Sequence, residues 1–407
     1  MLCSLSNYNF KKEKLEFFQQ VHRSLLNSPK DTIKRELMDN INWDEQLICI
    51  KGFRGVGKTT FLLDYIKQNY PTSNDVLYLN LNNFYFTKRK ISSFADEFAK
   101  RGGKVLILDQ IQKYPDWSED LRKCVDEIPE LKIIFTSSPV LRITEGNPDL
   151  EGIAKIYHLE GLSFREYLNH QTGQQFKTYS FEEILKNHIK IAREIVNEVR
   201  PLAYFDDYLK HGYFPYFMDD PNFYTNKLLK NINLALEIDV PYINQIEFKY
   251  LSKLRKLLHI IASETPFTPN VSKLAGSVET SRATIMNYLR YLKNARLINL
   301  LYANGNGDDD QMKKPDQVYM HNTNLLHAIA PNNNDNLTMR RTFFYNQVGY
   351  KYSLATSPVA DFCVDGKYKF NVGGRKILPE GDIYAASDVI EVGEGNKIPL
   401  WLFGFLY

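Results

Sequence analysis

Between residues 47 and 137, short apolar runs alternate with amphipathic stretches, and this alternation is the feature that most constrains the fold. The apolar runs are QLICI, DVLYLNL, KVLILD and LKIIFTS, each about the length of one strand. The stretches between them, TFLLDYIKQNY, SSFADEFAKR and SEDLRKCVDEI, have the spacing of helices. Strands joined by helices predict a parallel sheet covered on both faces, and therefore an α/β fold.

The turn after the first predicted strand, GFRGVGKT, fits the spacing G-x-x-x-x-G-K-[ST]. Its glycines allow backbone N–H groups to curl around phosphate oxygens. Lys58 is expected to reach the β- and γ-phosphates, and the Thr59 hydroxyl to bind Mg²⁺. The predicted nucleotide-binding residues are Gly52, Phe53, Arg54, Gly55, Val56, Gly57, Lys58, Thr59 and Thr60.

The strand-like run KVLILD ends at Asp109, which is where a P-loop protein holds Mg²⁺ through water. A helix cap or a loop carboxylate is the simpler interpretation of a lone aspartate, but the neighbouring glycine-rich turn favours the metal role. The predicted catalytic group is therefore Lys58, Asp109 and Gln110, with Thr59 and Asp109 as the metal-binding pair. The expected cofactors are ATP or ADP and Mg²⁺.

The bulk composition narrows the class of protein. A chain of 407 residues predicts two or three domains, and a net charge of +3 is too small to argue for a nucleic-acid partner. Four scattered cysteines without a CxxC pair predict a reducing compartment. No apolar run is long enough to span a bilayer. We therefore expect a cytoplasmic protein without a membrane partner.

Several motifs resemble one known family: GFRGVGKTT, LILDQIQKYPDW, LKIIFTSSPVL, LEGLSFREYL, YLKHGYFPYF and DFCVDGKYKFNVGGRK. The chain resembles the bacterial and archaeal AAA-type P-loop ATPases that carry a winged helix and a C-terminal restriction-endonuclease-like domain of unknown function. The resemblance implies a P-loop NTPase domain with an N-terminal helical segment over 1–160 and a helical lid over 161–245. A winged helix-turn-helix over 246–325 and a degenerate endonuclease-like α/β domain over 326–407 would follow.

The chain departs from that family where hydrolysis is carried out. The family usually has Asp-Glu, but here Gln110 follows Asp109. The usual Thr-Gly-Ser-Ser reads Thr136-Ser137-Ser138-Pro139, two usual arginines are replaced by Gly152 and Ile153, and an acid is replaced by Asn82. An amide cannot accept the proton of an attacking water, and such an arginine is worth ~10³–10⁵ in rate.

These departures predict a nucleotide-dependent switch that binds Mg-ATP or ADP and hydrolyses ATP weakly. One alternative is an active ATPase in which Arg142, Arg54 or another residue compensates. The other is an interaction or DNA-binding scaffold with a vestigial nucleotide site. An unknown protein partner is expected in either case.

Two helical segments outside the sheet region carry specific expectations. Residues 11–40 are predicted to be helical, with Leu15, Phe18, Val21 and Leu25 on one face. From 247 to 318 the pattern helix, helix, turn, helix and hairpin predicts a winged helix. Its third helix should bury Ile285, Met286, Leu289 and Leu292 and expose Arg282, Asn287, Arg290, Lys293 and Arg296.

The basic face of this third helix suits DNA, but it suits a solvated surface or a protein contact equally well. The predicted wing tip carries Asp308, Asp309 and Asp310, which phosphates repel. A scaffold or interaction role is therefore favoured over DNA binding.

The last segment has a nuclease-like pattern without its acids. The resemblance places glutamates where Arg341 and Asn371 stand, and it leaves Asp361 with Arg375 and Lys376. One carboxylate does not support two-metal chemistry, so no nuclease activity is expected. Asp365-Gly366 predicts a tight hairpin. The run IPLWLFGFLY predicts a buried element more than a partner-docking tail.

Overall fold

The computed structural model describes residues 2–28, 31–71, 74–145, 147–241, 246–303, 313–332, 335–374 and 376–407. The chain divides into two compact units, Met1–Glu160 and Gly161–Tyr407, and each is described by itself. Among the described residues, no helix combines the length and the apolar character that a membrane span requires.

The first unit is built on a five-stranded sheet in which every neighbouring pair is parallel. Its strands are β1 (Leu47–Lys51), β2 (Val76–Asn80), β3 (Val105–Asp109), β4 (Lys132–Ser137) and β5 (Lys155–His158). The order is β2-β3-β4-β1-β5, so β2 is an edge strand. Four of the strands are almost entirely buried because helices cover both faces. The predicted α/β fold is confirmed for this unit.

The helices of the first unit are α1 (Leu2–Asn27), α2 (Leu37–Asn40), α3 (Lys58–Asn69), α4 (Ile91–Lys100) and α5 (Trp117–Glu127). Of the segment 11–40 that was predicted to be helical, the residues up to Asn27 and those of α2 are helical, and the described residues 31–36 between them are not. Its buried face is also different, because Leu15, Phe18 and His22 are buried while Val21 is 39% exposed. These three positions recur at the spacing of one helix stripe.

The strand register brings the carboxyl ends of all five strands to one edge of the sheet. Asn80 pairs with Asp109, and Lys51 pairs with both Ser137 and His158. Strand β4 therefore lies between β1, which leads into the glycine-rich turn, and β3, which ends at Asp109. This edge positions the site described below.

The second unit begins with four helices, and side-chain caps fix the starts of the first two. The hydroxyl groups of Ser163 and Ser180 each accept a bond from the backbone N–H of a glutamate three residues later, and the carboxylate of that glutamate accepts a bond from the serine N–H. The helices are α6 (Phe164–Thr172), α7 (Phe181–Glu198), α8 (Leu202–Asp207) and α9 (Tyr224–Leu234).

Three helices and a hairpin follow in the predicted order: α10 (Leu251–Glu264), α11 (Val271–Val278), α12 (Arg282–Asn294), β6 (Ile298–Leu301) and β7 (Gln317–Met320). Strands β6 and β7 are antiparallel. The predicted wing tip at Asp308–Asp310 lies outside the described residues.

Helix α12 differs from its prediction in detail. Ile285, Leu289 and Leu292 are buried as expected, but Met286 is half-buried and Tyr288 takes its place in the core. Of the five side chains predicted to be exposed, Arg282 is exposed and the other four are half-buried. The Arg290 guanidinium bonds the Asn287 side chain, which covers part of both.

After α13 (Thr323–Ile329), the chain ends in a second five-stranded sheet of order β12-β11-β10-β9-β8, which packs against α14 (Asn336–Val348). Its strands are β8 (Leu354–Ala355), β9 (Phe362–Val364), β10 (Tyr368–Gly373), β11 (Ile383–Ser387) and β12 (Lys397–Pro399). Asp365 and Gly366 join antiparallel β9 and β10 with positive φ angles of 49° and 66°, which confirms the predicted tight hairpin. The 3₁₀-helix Leu400–Phe405 is fully buried, as expected of a core element.

Candidate functional site

The glycine-rich turn between β1 and α3 requires its glycines. Gly55 and Gly57 have φ angles of 87° and 96°, a region that L side chains rarely adopt. A Cβ on Gly52 would lie 2.3 Å from the carbonyl oxygen of Leu159, so any side chain there would displace the backbone after β5. The backbone consequently curls closely at the start of α3.

Charged side chains hold the turn in shape. The Lys58 ammonium donates to the carbonyl oxygens of Gly52 at 2.6 Å and Phe53 at 2.9 Å, so it lies over the loop. From the other side, the buried Arg35 guanidinium donates to the carbonyl oxygen of Val56 at 3.0 Å. The side chains of Phe53 and Val56 are buried, so only their backbone groups can face a ligand.

The start of α3 offers an anion site of the expected kind. The helix begins at Lys58, and Gly57 before it carries no side chain that could cap the first-turn N–H groups. Free N–H groups and the positive end of the helix dipole attract phosphate at such an end. The predicted residues Gly52–Thr60 therefore form one continuous turn and helix start.

Asp109 is the hydrogen-bonding centre of the site, and it is 2% exposed. Its Oδ2 atom accepts bonds from the Thr59 hydroxyl and from the Tyr78 hydroxyl, both at 2.7 Å. Its Oδ1 atom accepts a bond from the Thr136 hydroxyl at 2.5 Å. The structure thus brings the predicted metal-binding pair, Thr59 and Asp109, into direct contact through neutral donors.

Gln110 follows Asp109 in a strained backbone conformation. Its φ and ψ angles of 64° and 53° are left-handed, which is uncommon for a residue with a long side chain. Its backbone N–H donates to the Thr136 hydroxyl oxygen at 2.8 Å, so Thr136 joins both Asp109 and Gln110. Strain of this kind persists where surrounding contacts over-determine the backbone, and functional sites are a common location.

The other residues at which this chain differs from the resembled family have different surroundings. The residue at the end of β2 is Asn80, which pairs with Asp109, and Asn82 is an exposed turn residue whose N–H donates to Asn80 Oδ1. Gly152 lies in a turn with a φ angle of 74°. Of the two arginines suggested to compensate, Arg142 is exposed and Arg54 is half-buried.

The residues present fit a nucleotide with a hydrated divalent cation. The turn supplies backbone donors and the Lys58 ammonium, while Thr59 and Asp109 supply oxygen ligands of the type that Mg²⁺ accepts together with substrate phosphates. Across the described parts of the chain, no group of three or more His, Cys, Asp or Glu side chains could hold a metal by itself. A cation at Asp109 would therefore need phosphate oxygens among its ligands.

Sequence reasoning missed Arg35 and Tyr78 as parts of this site. Tyr78 lies inside an apolar strand, where a tyrosine most often belongs to the core, and Arg35 lies in an irregular segment before β1. Neither has a local signal, because their roles depend on the strand register and on the path of the backbone.

The second candidate site, in the endonuclease-like segment, is organised differently. The Arg341 guanidinium donates to Asp361 Oδ1 at 2.5 Å, and the Val372 N–H donates to Asp361 Oδ2 at 2.9 Å. Asn371 Oδ1 accepts the backbone N–H of Asp361 at 3.1 Å. Arg375 lies outside the described residues, and Lys376 is exposed. The residues that replace the expected glutamates thus bond to the remaining acid.

Comparison with known proteins assigns families to two segments. Residues 44–168 match the AAA domain family, and residues 202–336 match a domain of unknown function, DUF8612. Two uncharacterized proteins of Methanocaldococcus jannaschii are 25% identical over 318 residues and 26% identical over 269 residues. The matches cover 75% and 62% of this chain but 64% and 55% of the relatives, less than two thirds of their length.

Two solved structures show weaker likeness. AMPPCP-bound DnaA from Aquifex aeolicus is 15% identical, with 63% of this chain and 85% of that chain covered and a TM-score of 0.24. The S. cerevisiae Hsp104–ADP complex is also 15% identical, with 69% and 41% covered and a TM-score of 0.29. Scores this low carry no argument about this chain. The segment that matches the AAA domain family, residues 44–168, contains all five strands of the parallel sheet.

Proposed function

We propose that this protein binds ATP or ADP with Mg²⁺ at the Gly52–Thr60 turn, as a nucleotide-dependent switch with weak hydrolysis. The carrying observation is the contact between the Thr59 hydroxyl and the buried Asp109 carboxylate at the start of α3. The AAA domain match over residues 44–168 supports it. Magnesium would neutralise phosphate charge there, and Lys58 and the turn N–H groups would orient the phosphates.

The weak-hydrolysis part of the proposal rests on Gln110 and on Gly152 and Ile153. The Gln110 amide can orient a water but cannot accept its proton. The two positions that carry arginines in the resembled family hold side chains without charge, so no transition-state stabilisation comes from them. The same argument favours a switch, because a nucleotide that is bound and slowly hydrolysed holds one state for longer.

Nucleotide binding is tested by thermal unfolding with ATP, ADP and Mg²⁺. A ligand at 100 times its Kd should add ~2.7 kcal/mol to the free energy of unfolding. Lys58→Ala removes a charged donor and should weaken ATP binding by about 10–100-fold. Lys67→Ala, in the last turn of the same helix α3, is the matched control and should bind like wild type. If neither nucleotide stabilises the protein, the vestigial-site alternative is favoured.

Hydrolysis is tested separately by phosphate release. We expect slow turnover in wild type and faster turnover in Gln110→Glu, which restores a proton acceptor. Wild-type turnover typical of an intact AAA-type ATPase, abolished by Lys58→Ala, would support the alternative of an active ATPase with compensating residues.

For the whole chain we propose the four-part division 1–160, 161–245, 246–325 and 326–407, with a winged helix formed by α10–α12 and the β6–β7 hairpin in the third part. The partly covered charges of α12 support a protein contact more than a DNA duplex. Absence of a duplex shift at low salt is the expected result of a mobility assay. We further propose that the Asp361 region is not a nuclease, and metal-dependent cleavage lost in Asp361→Ala would contradict this.

A further inference from the structure

Tyr78 makes the least expected contact with the candidate metal-binding carboxylate. Its hydroxyl donates to Asp109 Oδ2 at 2.7 Å, the same oxygen that accepts the Thr59 hydroxyl. The two residues that donate to this oxygen come from different elements: Tyr78 lies in β2, and Thr59 lies in the first turn of α3. Three hydroxyl groups, including that of Thr136, therefore converge on one carboxylate.

The surroundings of Tyr78 fix this hydroxyl as a donor. The residue is 4% exposed, and β2 pairs it with Ile107 of β3. On the open edge of β2, its backbone N–H donates to Nδ1 of the buried His22 at 3.1 Å. Because an ionised carboxylate can only accept hydrogen bonds, the phenol supplies the proton of the bond to Asp109.

The number of hydrogen bonds that Asp109 already accepts limits where a metal-bound water can bond to it. An ionised carboxylate offers about four lone-pair sites, and three of those on Asp109 are occupied by hydroxyl protons. The donors are neutral, so the carboxylate retains its charge for a cation. About one site remains for a water of a hydrated Mg²⁺, and the three donors decide which one it is.

A second tyrosine–aspartate pair in the same unit shows what a purely structural contact looks like. The Tyr114 hydroxyl donates to Asp120 Oδ2 at 2.6 Å, but the other donors to Asp120 are the Ile91 N–H and the Ser92 hydroxyl at the start of α4. The Asp120 carboxylate thus bonds to groups at the start of α4. Asp109 instead shares its oxygen with Thr59, an exposed residue of the glycine-rich turn.

We infer that Tyr78 is a positioning residue for the Mg²⁺ response of nucleotide binding, acting through Asp109 Oδ2. The inference rests on the proposed nucleotide function and deepens it. Groups that orient metal ligands in this way typically change metal affinity by about 10–100-fold when removed. Tyr78→Phe removes the donor and leaves the ring in place, so Asp109 keeps its bonds from Thr59 and Thr136 but loses one of the three donors that orient it.

The experiment measures ATP binding by the full-length protein over a range of Mg²⁺ concentrations and without Mg²⁺. For Tyr78→Phe, we expect the Mg²⁺ concentration for the half-maximal effect to rise about tenfold, with Mg²⁺-free binding unchanged. Tyr114→Phe loses an equivalent phenol–carboxylate bond and should leave that midpoint unchanged. Tyr78→Leu, a second variant without the hydroxyl, should shift the midpoint in the same direction.

A double-mutant cycle with Asp109→Asn separates action through Asp109 from a general effect on the fold. In the Asp109→Asn background, Tyr78→Phe should have no further effect on the Mg²⁺ response. An unchanged midpoint in Tyr78→Phe, an equal shift in Tyr114→Phe, or full additivity in the cycle overturns the inference but not nucleotide binding. A wild-type protein that binds no nucleotide overturns the proposed function, and the inference with it.

Discussion

Asp109 and Asp361 are acids at comparable places, since Asp109 is the predicted metal-binding carboxylate of the first unit and Asp361 is the one expected acid that remains in the nuclease-like segment. Both accept hydrogen bonds on both oxygens, but the donors differ. Asp109 is bonded by three neutral hydroxyl groups, from Thr59, Tyr78 and Thr136. Asp361 is bonded by the Arg341 guanidinium and by a backbone N–H.

The difference shows how the charge of the donor decides what an acid can do. Neutral donors orient a carboxylate and leave its negative charge available to a cation. A guanidinium compensates that charge and occupies the space where a cation would approach, so the acid becomes half of an ion pair. Satisfied hydrogen bonds alone therefore do not distinguish a binding site from a structural contact.

The largest effect is expected when the ion pair is broken on one side. Arg341→Ala should lower the free energy of unfolding by about 3 kcal/mol, because Asp361 is left as a largely buried, uncompensated charge. Chemical denaturation measures the loss. Arg341→Ala combined with Asp361→Asn is the control, and it should recover part of the stability. Equal losses in the single and double variants would show that charge compensation is not the reason.

A somewhat smaller effect is expected at the other acid, on ligand binding. Asp109→Asn should weaken ATP binding in Mg²⁺ by about 100-fold, or about 2.7 kcal/mol, while Mg²⁺-free binding changes little. Calorimetric titration with and without Mg²⁺ measures both quantities. Asp120→Asn removes another buried acid of the same unit, and it should lower stability without changing the ratio of the two affinities. A similar ratio in both variants would place the metal elsewhere.

The smallest effect concerns the bond between His22 of α1 and the Tyr78 N–H of β2, and it depends on pH. Burial, with a contribution from the positive charge of Arg23, lowers the pKa of His22 from 6.5 to about 4. Between about pH 6.5 and pH 4, His22 is protonated in the unfolded state but neutral in the folded state. The free energy of unfolding therefore decreases as the pH falls through this range. Between about pH 7 and about pH 5 the loss amounts to about 2 kcal/mol.

His22→Asn tests this, because the amide oxygen can accept the Tyr78 N–H and does not titrate. Denaturation of wild type and variant at both pH values gives the measurement. The variant should lack the His22 share of the acid-induced loss, while all other titrating groups contribute equally to both proteins. Identical losses in the two proteins would mean that His22 becomes protonated in the folded state.

The sequence predicted those parts of the site that depend on spacing along the chain. The turn from Gly52 to Thr60 and the strand end at Asp109 follow from local patterns, and the structure brings Thr59 and Asp109 together. The role of Tyr78 could not be predicted, because it requires the pairing of β2 with β3. The face of α1 was predicted with Val21 in place of His22, since apolar periodicity undervalues a buried histidine that serves as an acceptor.

The C-terminal unit was predictable to a similar depth. The three helices, the hairpin and the turn at Asp365-Gly366 follow from helical spacing and turn chemistry. The family resemblance implied that Arg341 and Asn371 replace acids, but it did not indicate their bonds to Asp361, because the three residues come from different elements. Tyr288 is buried and Met286 is only half-buried, the reverse of what the apolar spacing of α12 predicted. Neighbouring elements decide which face of a helix is covered, and periodicity alone does not show this.

The bond between His22 and the Tyr78 N–H has a consequence for the solution behaviour of truncated proteins. Strand β2 is the first strand in the order of the sheet, and an uncovered edge is a template for pairing with another molecule. Helix α1 contacts this strand, and His22 bonds one of its outward N–H groups. We therefore expect that a protein without α1 would present β2 to its neighbours and aggregate through intermolecular strand pairing more readily than the intact chain.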